Sequence, residues 1–432
     1  MKTLSDWIAK LPDSIQNKSI TVLRLKFWIL AFSGRIENGE PLFENIDHLL
    51  ASLEQPTSLS AQSIKGEVLI FRGIQAHYRF KFDQGIEYCE HALELIPEIP
   101  QTSITRGLVF YVLGDLFREK GEFGKAEEKF LATDKIPLDY KSRIQTKWCL
   151  AVIANIRGQL RVVAKLYEEA YAIANTYGLN PGTISMADIG MSELMYERSK
   201  VQTAHDLLSA SIGNVAWTKT LNWWENPSVI VPGYALLARI LHALGQRETA
   251  LEVVNLGCKM CEDYDVFPDF VSMMQAEKIH LWLAQGYFDQ AFKWMQENPY
   301  NLDNTFDYLH EPERIAFARG LIEHAKRRVV SFETTVDFLN SLADAAEAGK
   351  RFGRLIEILN LQALALYNLG DVDGSHKILR KSLTLAQPEG YMRIFLDEGK
   401  PMNQLLKGAR ESGLDNNLRN YVNRLLEAST PA

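Results

Sequence analysis

Apolar residues recur every three or four positions over most of the chain, and short glycine-containing turns separate these segments. In residues 108–138, Leu113 and Phe117 share one face of a helix. Gly121 ends this helix, and Ala126 opens the apolar face of the next one. This spacing predicts two helices joined by a tight turn. No stretch alternates between apolar and polar β-branched residues, so no sheet is predicted.

The same two-helix frame recurs along the chain and predicts about nine helix pairs. The first pair covers residues 20–54, with Gly34 in its turn, and residues 311–348 form a degenerate pair. The turn glycines Gly121 and Gly158 lie 37 residues apart, which exceeds the 34 of the strict tetratricopeptide repeat (TPR) that the frame resembles. Because each pair buries its apolar face only against its neighbours, we predict an all-α superhelix, a solenoid of TPR-like pairs.

The end of the chain departs from the repeat frame. Residues 391–428 predict two further helices, separated by Ser412 and Gly413. An open solenoid end exposes apolar surface, and these helices are expected to cap it. The predicted domains are therefore a helical-repeat domain at 1–390 and a C-terminal capping segment at 391–432.

Composition and charge narrow the possible partners and the compartment. The net charge is −7, which does not favour binding to nucleic acid. The uncharged, apolar-leaning stretch at residues 226–238 is interrupted by prolines and too short to cross a bilayer, and residues 1–20 lack the apolar core of a signal peptide. The cysteines are too few for a disulfide framework, so a reducing, cytoplasmic location is expected: Cys89, Cys149, Cys258 and Cys261.

The sequence contains only weak motifs for metal binding or catalysis. Cys258 and Cys261 form a lone CxxC with no second pair to complete a zinc site. His310 and Glu311 are followed by Pro312, which disfavours a metal-binding helix, and no GxSxG occurs. We therefore expect no catalytic residue, no metal and no cofactor, and predict that the protein is not an enzyme. A triad assembled from distant residues stays open.

Three stretches resemble the TPR sensor region of MalT-type transcriptional activators, the large ATP-dependent members of the LuxR group. The first is LSDWIAKLPDSI, followed by WILAFSGRIENGE, near the start of the chain. The second is an Ala-Arg step in two first helices, at Arg239 and Arg319. The third and most specific is EGYMRIFLDEGKPMNQLL, residues 389–406, which is similar to the closing segment of that region.

The resemblance implies a bacterial sensor of signals. In that family the superhelix accepts a small-molecule inducer, releases a nucleotide-binding module from autoinhibition and permits self-association. Residues 391–432 would then include the start of a linker to a DNA-binding domain. The sequence has no GxxxxGK[ST] loop, since GEFGKA at Gly121 lies between two helices, and it ends before any recognition helix. We therefore interpret it as an isolated sensor region or a shortened relative.

The repeat frame also predicts a binding surface. In a superhelix of helix pairs the first helices line the concave side, and residues about 40 apart become neighbours. Aromatic faces with a few convergent charges suit a polar small molecule. The residues selected in this way are Tyr111, Asp115, Arg118, Trp148, Asn155, Glu193, Tyr196, Arg239, His242, His280 and Arg319.

Several alternatives remain open for this surface. One alternative is that its charges only solvate the groove or pair across adjacent repeats. Trp223 and Trp224, in the long connection 214–234, either fill core or line the groove as a lid. A second functional hypothesis is a TPR scaffold that binds a peptide or a regulatory protein.

Overall fold

A computed structural model describes residues 2–32, 39–52, 59–179, 185–216, 227–263, 266–300 and 308–429. These residues form 23 α-helices and two short 3-10 helices, without any strand. The α-helices are α1 (Lys2–Ile8), α2 (Asp13–Lys18), α3 (Ile20–Phe32), α4 (Glu40–Ala51), α5 (Leu59–Tyr78), α6 (Phe82–Leu95), α7 (Ser103–Glu119), α8 (Phe123–Asp134), α9 (Tyr140–Ile156), α10 (Leu160–Thr176), α11 (Ser185–Glu197), α12 (Val201–Ala216), α13 (Pro227–Ala243), α14 (Arg247–Asp263), α15 (Pro268–Gln285), α16 (Phe288–Glu297), α17 (Glu311–Lys326), α18 (Phe332–Ala348), α19 (Phe352–Leu369), α20 (Val372–Ala386), α21 (Arg393–Leu396), α22 (Gly399–Glu411) and α23 (Asn416–Ala428). The 3-10 helices are Pro100–Thr102 and Tyr308–His310.

Helices α3 to α20 make nine consecutive pairs, in agreement with the repeat frame. From α5 onward, every described turn inside a pair contains one residue with positive φ. Glycine holds this position at 121, 158, 245, 286 and 370, where the repeat frame places its turns. Phe80, Ser199 and Arg328 hold it in the other three pairs, and glycine spacing alone does not predict them. Gly34, the predicted turn of the first pair, lies outside the described residues.

Small residues let neighbouring helices approach closely. A Cβ atom on Gly114 would lie 2.6 Å from the ring of Phe130, so α7 and α8 cross where the frame requires a small residue. Ala126 on the opposing helix is fully buried. Likewise, a Cβ atom on Gly190 of α11 would lie 2.0 Å from the hydroxyl of Tyr167 on α10. Larger residues at these positions would push the helices apart.

Two compact units divide the described residues, the first within residues 1–150 and the second within 151–217 and 227–432. In the first unit, Leu23, Phe27, Phe43 and Phe71 centre one apolar cluster from α3, α4 and α5. The second unit buries several clusters between its successive helix pairs.

The end of the chain belongs to the core of the second unit. Phe395 of α21, Leu405 of α22 and Tyr421 of α23 share one cluster with Leu160 of α10 and Leu194 of α11. The cluster also includes buried residues of α19 and α20, so the terminal helices cover the last helix pair. No helix among the described residues has the length and apolar character needed to cross a membrane.

Candidate functional site

The first helices of the second unit bring together charged residues about 40 positions apart, as the repeat frame predicts. Arg239 of α13 donates from Nε and Nη2 to Oε2 of Glu277 on α15, at 2.9 and 2.6 Å. The Glu277 side chain is 1% exposed and that of Arg239 is 36% exposed. Arg239 therefore places one edge of its guanidinium on a buried carboxylate and leaves the rest accessible.

Arg319 of α17 repeats this arrangement one step further along. Its Nη2 donates to Oε1 of Glu357 on α19 at 2.9 Å and to Oε1 of Glu398 at 2.6 Å. Burial alone raises the pKa of the Glu357 carboxyl, but Arg319, Arg354 and Arg239 outweigh it and lower that pKa to about 2. Burial raises the pKa of the Glu398 carboxyl, and Arg319 only opposes this shift. Arg319 thus binds two carboxyl groups. The charged form of Glu357 is strongly favoured, whereas burial disfavours the charged form of Glu398.

Tyr196 of α11 is buried beside the same segment of chain as Glu398. Its hydroxyl donates to Oδ2 of Asp397 at 2.9 Å, and Arg393 stacks its guanidinium 5.0 Å from the ring centroid. Arg393 also pairs with Asp397, one helical turn along. Asp397 and Glu398 are adjacent in sequence yet contact first helices from different repeats.

Two histidines lie in the same charged surroundings. Gln285 Nε2 of α15 lies 3.4 Å from Nδ1 of His242 on α13. Burial lowers the pKa of His242, and burial together with the charges of Arg319 and Arg239 lowers the pKa of His280 well below its ordinary value. Both shifts favour the neutral form of the rings. We call this group the polar network: Tyr196, Arg239, His242, Glu277, His280, Arg319, Arg354, Glu357, Arg393, Asp397 and Glu398.

The segment that supplies Asp397 and Glu398 is held by its backbone. Oε1 of Glu197 on α11 accepts the backbone N–H groups of Met392 and Ile394, at 3.1 and 3.0 Å. Asn360 of α19 donates from Nδ2 to the carbonyl of Ile394 at 3.0 Å. Side chains of two first helices therefore hold residues 392–394 through main-chain groups, without contacts that depend on the side chains of these residues.

In the first unit, the predicted residues of α7 are largely buried among their own neighbours. The hydroxyl of Tyr111 accepts a hydrogen bond from Gln145 Nε2 at 2.6 Å, and burial raises the pKa of Tyr111 well above its ordinary value. Arg118 is buried, pairs with Glu119, and has Nε 3.7 Å from Oδ1 of Asp115. These side chains form a compact cluster within the first unit.

Among the described residues, Trp148, Asn155 and Glu193 make no hydrogen bond to either of these two groups. Trp148 is half-buried on α9. Asn155 of α9 donates to Oε1 of the exposed Glu193 of α11 at 3.3 Å. Trp223 and Trp224 lie outside the described residues, so their predicted place in the groove stays a prediction.

Sequence reasoning missed the carboxylates of the polar network. Glu277 and Glu357 each lie 38 residues after the arginine they bind, so the repeat spacing itself would have found both. Asp397 and Glu398 give no such signal, because their segment lies beyond the repeats and has no repeat spacing.

The CxxC pair lies at the end of α14. Burial raises the pKa of both thiols, to about 12 for Cys261, so neither forms a thiolate readily at neutral pH. Among the described residues, no three His, Cys, Asp or Glu side chains cluster as metal ligands would.

Comparison with solved structures supports the helical-repeat fold. A Rap protein complexed with Competence and Sporulation Factor is 12% identical, with a TM-score of 0.60, over 86% of this chain and 98% of that one. The Rap conjugation gene regulator of the plasmid pLS20, in complex with the Phr* peptide, is 15% identical, with a TM-score of 0.48, over 77% and 96% of the two chains. No curated protein matches the chain significantly.

The family comparison covers most of the sequence. A family model described as the MalT-like TPR region matches residues 66–412, which contain α6 to α22 complete and every residue of the polar network. The chain belongs to the family of MalT-like TPR regions.

Proposed function

We propose that this chain is the ligand-sensing and self-association region of a cytoplasmic, MalT/LuxR-type transcriptional activator, and that the polar network binds its small-molecule inducer. The observation that carries the proposal is the convergence of aromatic and charged side chains from α11, α13, α15 and α17 on one place. Pockets that orient polar ligands have this composition. In this proposal residues 1–390 sense the signal and residues 391–432 cap the repeats.

Unused hydrogen-bonding capacity in the polar network supports a polar ligand. Nε of Arg319 and Nε of Arg393 are buried and have no hydrogen-bond partner among the described residues, and the same holds for Oε1 of Glu277. A buried polar atom without a partner costs about 1–3 kcal/mol, and a ligand that satisfies it recovers that free energy on binding. The network thus offers both donors and an acceptor, as recognition of a hydroxylated or charged metabolite requires.

The proposal assigns binding, not catalysis, to the chain. Each charged side chain of the network already has an oppositely charged or hydroxyl partner, and among the described residues none is hydrogen-bonded to a serine, threonine or cysteine. The proposed output is a change in self-association or in contact with a regulatory protein.

Calorimetric screening of metabolites against the full chain tests the proposal. For a ligand that binds, Arg239→Ala should weaken affinity by roughly 1.5–3 kcal/mol, because a hydrogen bond from a charged, half-buried donor is lost. Tyr196→Phe is a milder second variant that keeps the ring and removes only the hydroxyl. The matched control is Arg380→Ala, which removes an exposed arginine on the second helix α20. A ligand that binds all these variants as it binds the parent would contradict the assignment.

A peptide or protein partner is the second candidate function. The observation that favours it is the capture of main-chain groups at Met392 and Ile394 by Glu197 and Asn360, which is a mode of peptide recognition. The structurally similar Rap protein is complexed with Competence and Sporulation Factor. Enrichment of peptides in a binding screen, with no metabolite bound, would favour this candidate.

A further inference from the structure

Resting on the proposed function, we infer that Asp397 and Glu398 act as an internal ligand of the polar network, and that the external ligand carries two neighbouring anionic groups that replace their carboxylates. The shared chemistry is a pair of carboxylates at the spacing of adjacent residues. A free dicarboxylate and an acidic peptide both provide it.

The charge of the first helices favours such a ligand. Within the polar network, α13 to α19 supply Arg239, Arg319 and Arg354 against Glu277 and Glu357, so the cations exceed the carboxylates by one. The rings of His242 and His280 lie in the same place and are kept neutral by burial and by the neighbouring arginines. An anion that entered this surface would also favour protonation of both rings.

The segment after α21 supplies the missing negative charge. Among the described residues, the Glu398 carboxylate accepts a hydrogen bond from Arg319 alone, while Asp397 accepts one from Tyr196 and pairs with Arg393. An external carboxylate would take over these contacts once the internal carboxylate has rotated away from its partner. The buried Nε atoms of Arg319 and of Arg393, which have no hydrogen-bond partner among the described residues, would give an incoming anion a second donor that the internal carboxylates leave unused.

The position of Asp397 and Glu398 allows an external anion to replace their carboxylates without movement of the buried backbone. Asp397 follows α21, Glu398 precedes α22, and Gly399 has φ of +68°, so both carboxylates lie on a junction between helices. Phe395, only two residues away, is fully buried in the core of the second unit and anchors the segment. The carboxylates can rotate away while the anchor stays in place, so exchange breaks their ion pairs with Arg319 and Arg393 but does not require the buried segment to move.

The test compares affinities for defined probes by calorimetry on the full chain. The probes are N-acetyl-Asp-Glu-amide and glutarate, with N-acetyl-Asn-Gln-amide as the uncharged control. The double variant Asp397→Asn/Glu398→Gln should bind a dianionic probe at least about tenfold more tightly than the parent, because removal of an internal competitor raises the fraction of competent sites. Glu347→Gln is the matched control, since it removes an exposed carboxylate that pairs with Lys381 on another surface.

Each outcome decides the inference. Tighter binding of glutarate supports a free dicarboxylate, and tighter binding of the dipeptide alone supports an acidic peptide. Equal or absent binding of both probes by the parent and the double variant overturns the inference. Should the double variant fold poorly, Glu398→Gln alone serves, and a dianionic probe should raise its melting temperature more than that of the parent. A neutral ligand that needs Arg239 but ignores both substitutions would overturn this inference and leave the proposed function standing.

Discussion

Gly190 shows how a single missing side chain sets the distance between two helices. A Cβ atom at this position of α11 would lie 2.0 Å from the hydroxyl and 2.1 Å from Cζ of the buried Tyr167. Gly190→Ala should therefore destabilise the protein by roughly 1–3 kcal/mol, through overpacking. Gly124→Ala is the control, because no atom lies within 4 Å of its Cβ and alanine favours the helix. Chemical denaturation measures both, and a stabilising Gly190→Ala would contradict the close crossing.

Glu197 predicts a pH dependence of stability. Burial raises its pKa to about 8, although the N–H groups of Ile394 and Met392 oppose the shift. An ordinary glutamate titrates near 4.5 in the unfolded chain, so between these values the folded state holds a proton that the unfolded state has lost. This contribution to stability is complete below about pH 4.5 and is lost as the pH rises through about 8.

Glu197→Gln isolates this effect. The amide oxygen still accepts both N–H groups, but nothing titrates, so the unfolding free energy of the variant should fall less between pH 6 and pH 9. The difference from the parent over that interval should be roughly 1–3 kcal/mol. Urea denaturation at several pH values measures it, and parallel pH profiles for the two proteins would refute the assignment to Glu197.

At the level of single residues, the sequence predicts part of the candidate site. Arg239 and Arg319 follow from the repeat spacing, because side chains one repeat apart meet on adjacent first helices. The contact of Arg319 with Glu398 does not follow, because it joins a repeat to a segment that has no repeat register. Whether the surface binds a ligand also depends on chemistry that spacing does not encode.

Two turns between paired helices have the same backbone conformation but different residues, serine in one and glycine in the other. Exchanging the residue type should change the stability of the protein in opposite directions at these two positions. Ser199 and Gly245 both have positive φ, and each turn closes with the same hydrogen bonds, from Lys200 N–H to the Met195 carbonyl and from Gln246 N–H to the Leu241 carbonyl. Ser199→Gly should stabilise the protein by about 0.5–1 kcal/mol, because left-handed backbone is strained for serine and free for glycine. Gly245→Ala should destabilise it by about 1 kcal/mol.

Thermal unfolding of the two variants measures these changes. No atom lies within 4 Å of a Cβ on Gly245, so its loss of stability would come from the backbone alone. A Ser199→Gly variant less stable than the parent would show that the Ser199 side chain contributes more stability than its backbone strain costs.

The residue type at these turns also explains why the sequence predicts some turns and not others. Glycine marks five of them, whereas at Phe80, Ser199 and Arg328 the packing of the flanking helices enforces the conformation without a local signal.

In the molecule as a whole, the second unit joins residues that are far apart in sequence. The N–H of Arg161 donates to Glu389, and the N–H of Met392 donates to the carbonyl of Glu197. The apolar cluster around Phe395 includes residues of α10, α11, α19 and α23. Helical periodicity predicts the elements of this unit and their order. It does not predict this contact between the start and the end of the unit, which depends on the accumulated geometry of five helix pairs.

The shared core around Phe395 predicts what happens when the chain is ended at Gly390. The same truncation tests the proposed boundary between the repeats and the cap. Truncation removes Phe395, Leu405 and Tyr421 from the shared core and leaves Leu160 and Leu194 uncovered. Burial of each large apolar side chain contributes roughly 1.5–3 kcal/mol, so the second unit should lose thermal stability by at least about 5 °C. Hydrogen exchange followed by mass spectrometry should show faster exchange in α10 and α11.

Helices α7 and α8 of the first unit are the internal reference, because none of their residues belongs to the cluster around Phe395. Their exchange should stay unchanged in the truncated chain. Phe395→Ala in the full chain provides a smaller perturbation of the same core, with an expected cost of roughly 3–5 kcal/mol and the same distribution of faster exchange. If α10 and α11 exchange as slowly after truncation as before, then residues 391–432 fold apart from the repeats, and the shared core contributes little to the stability of the second unit.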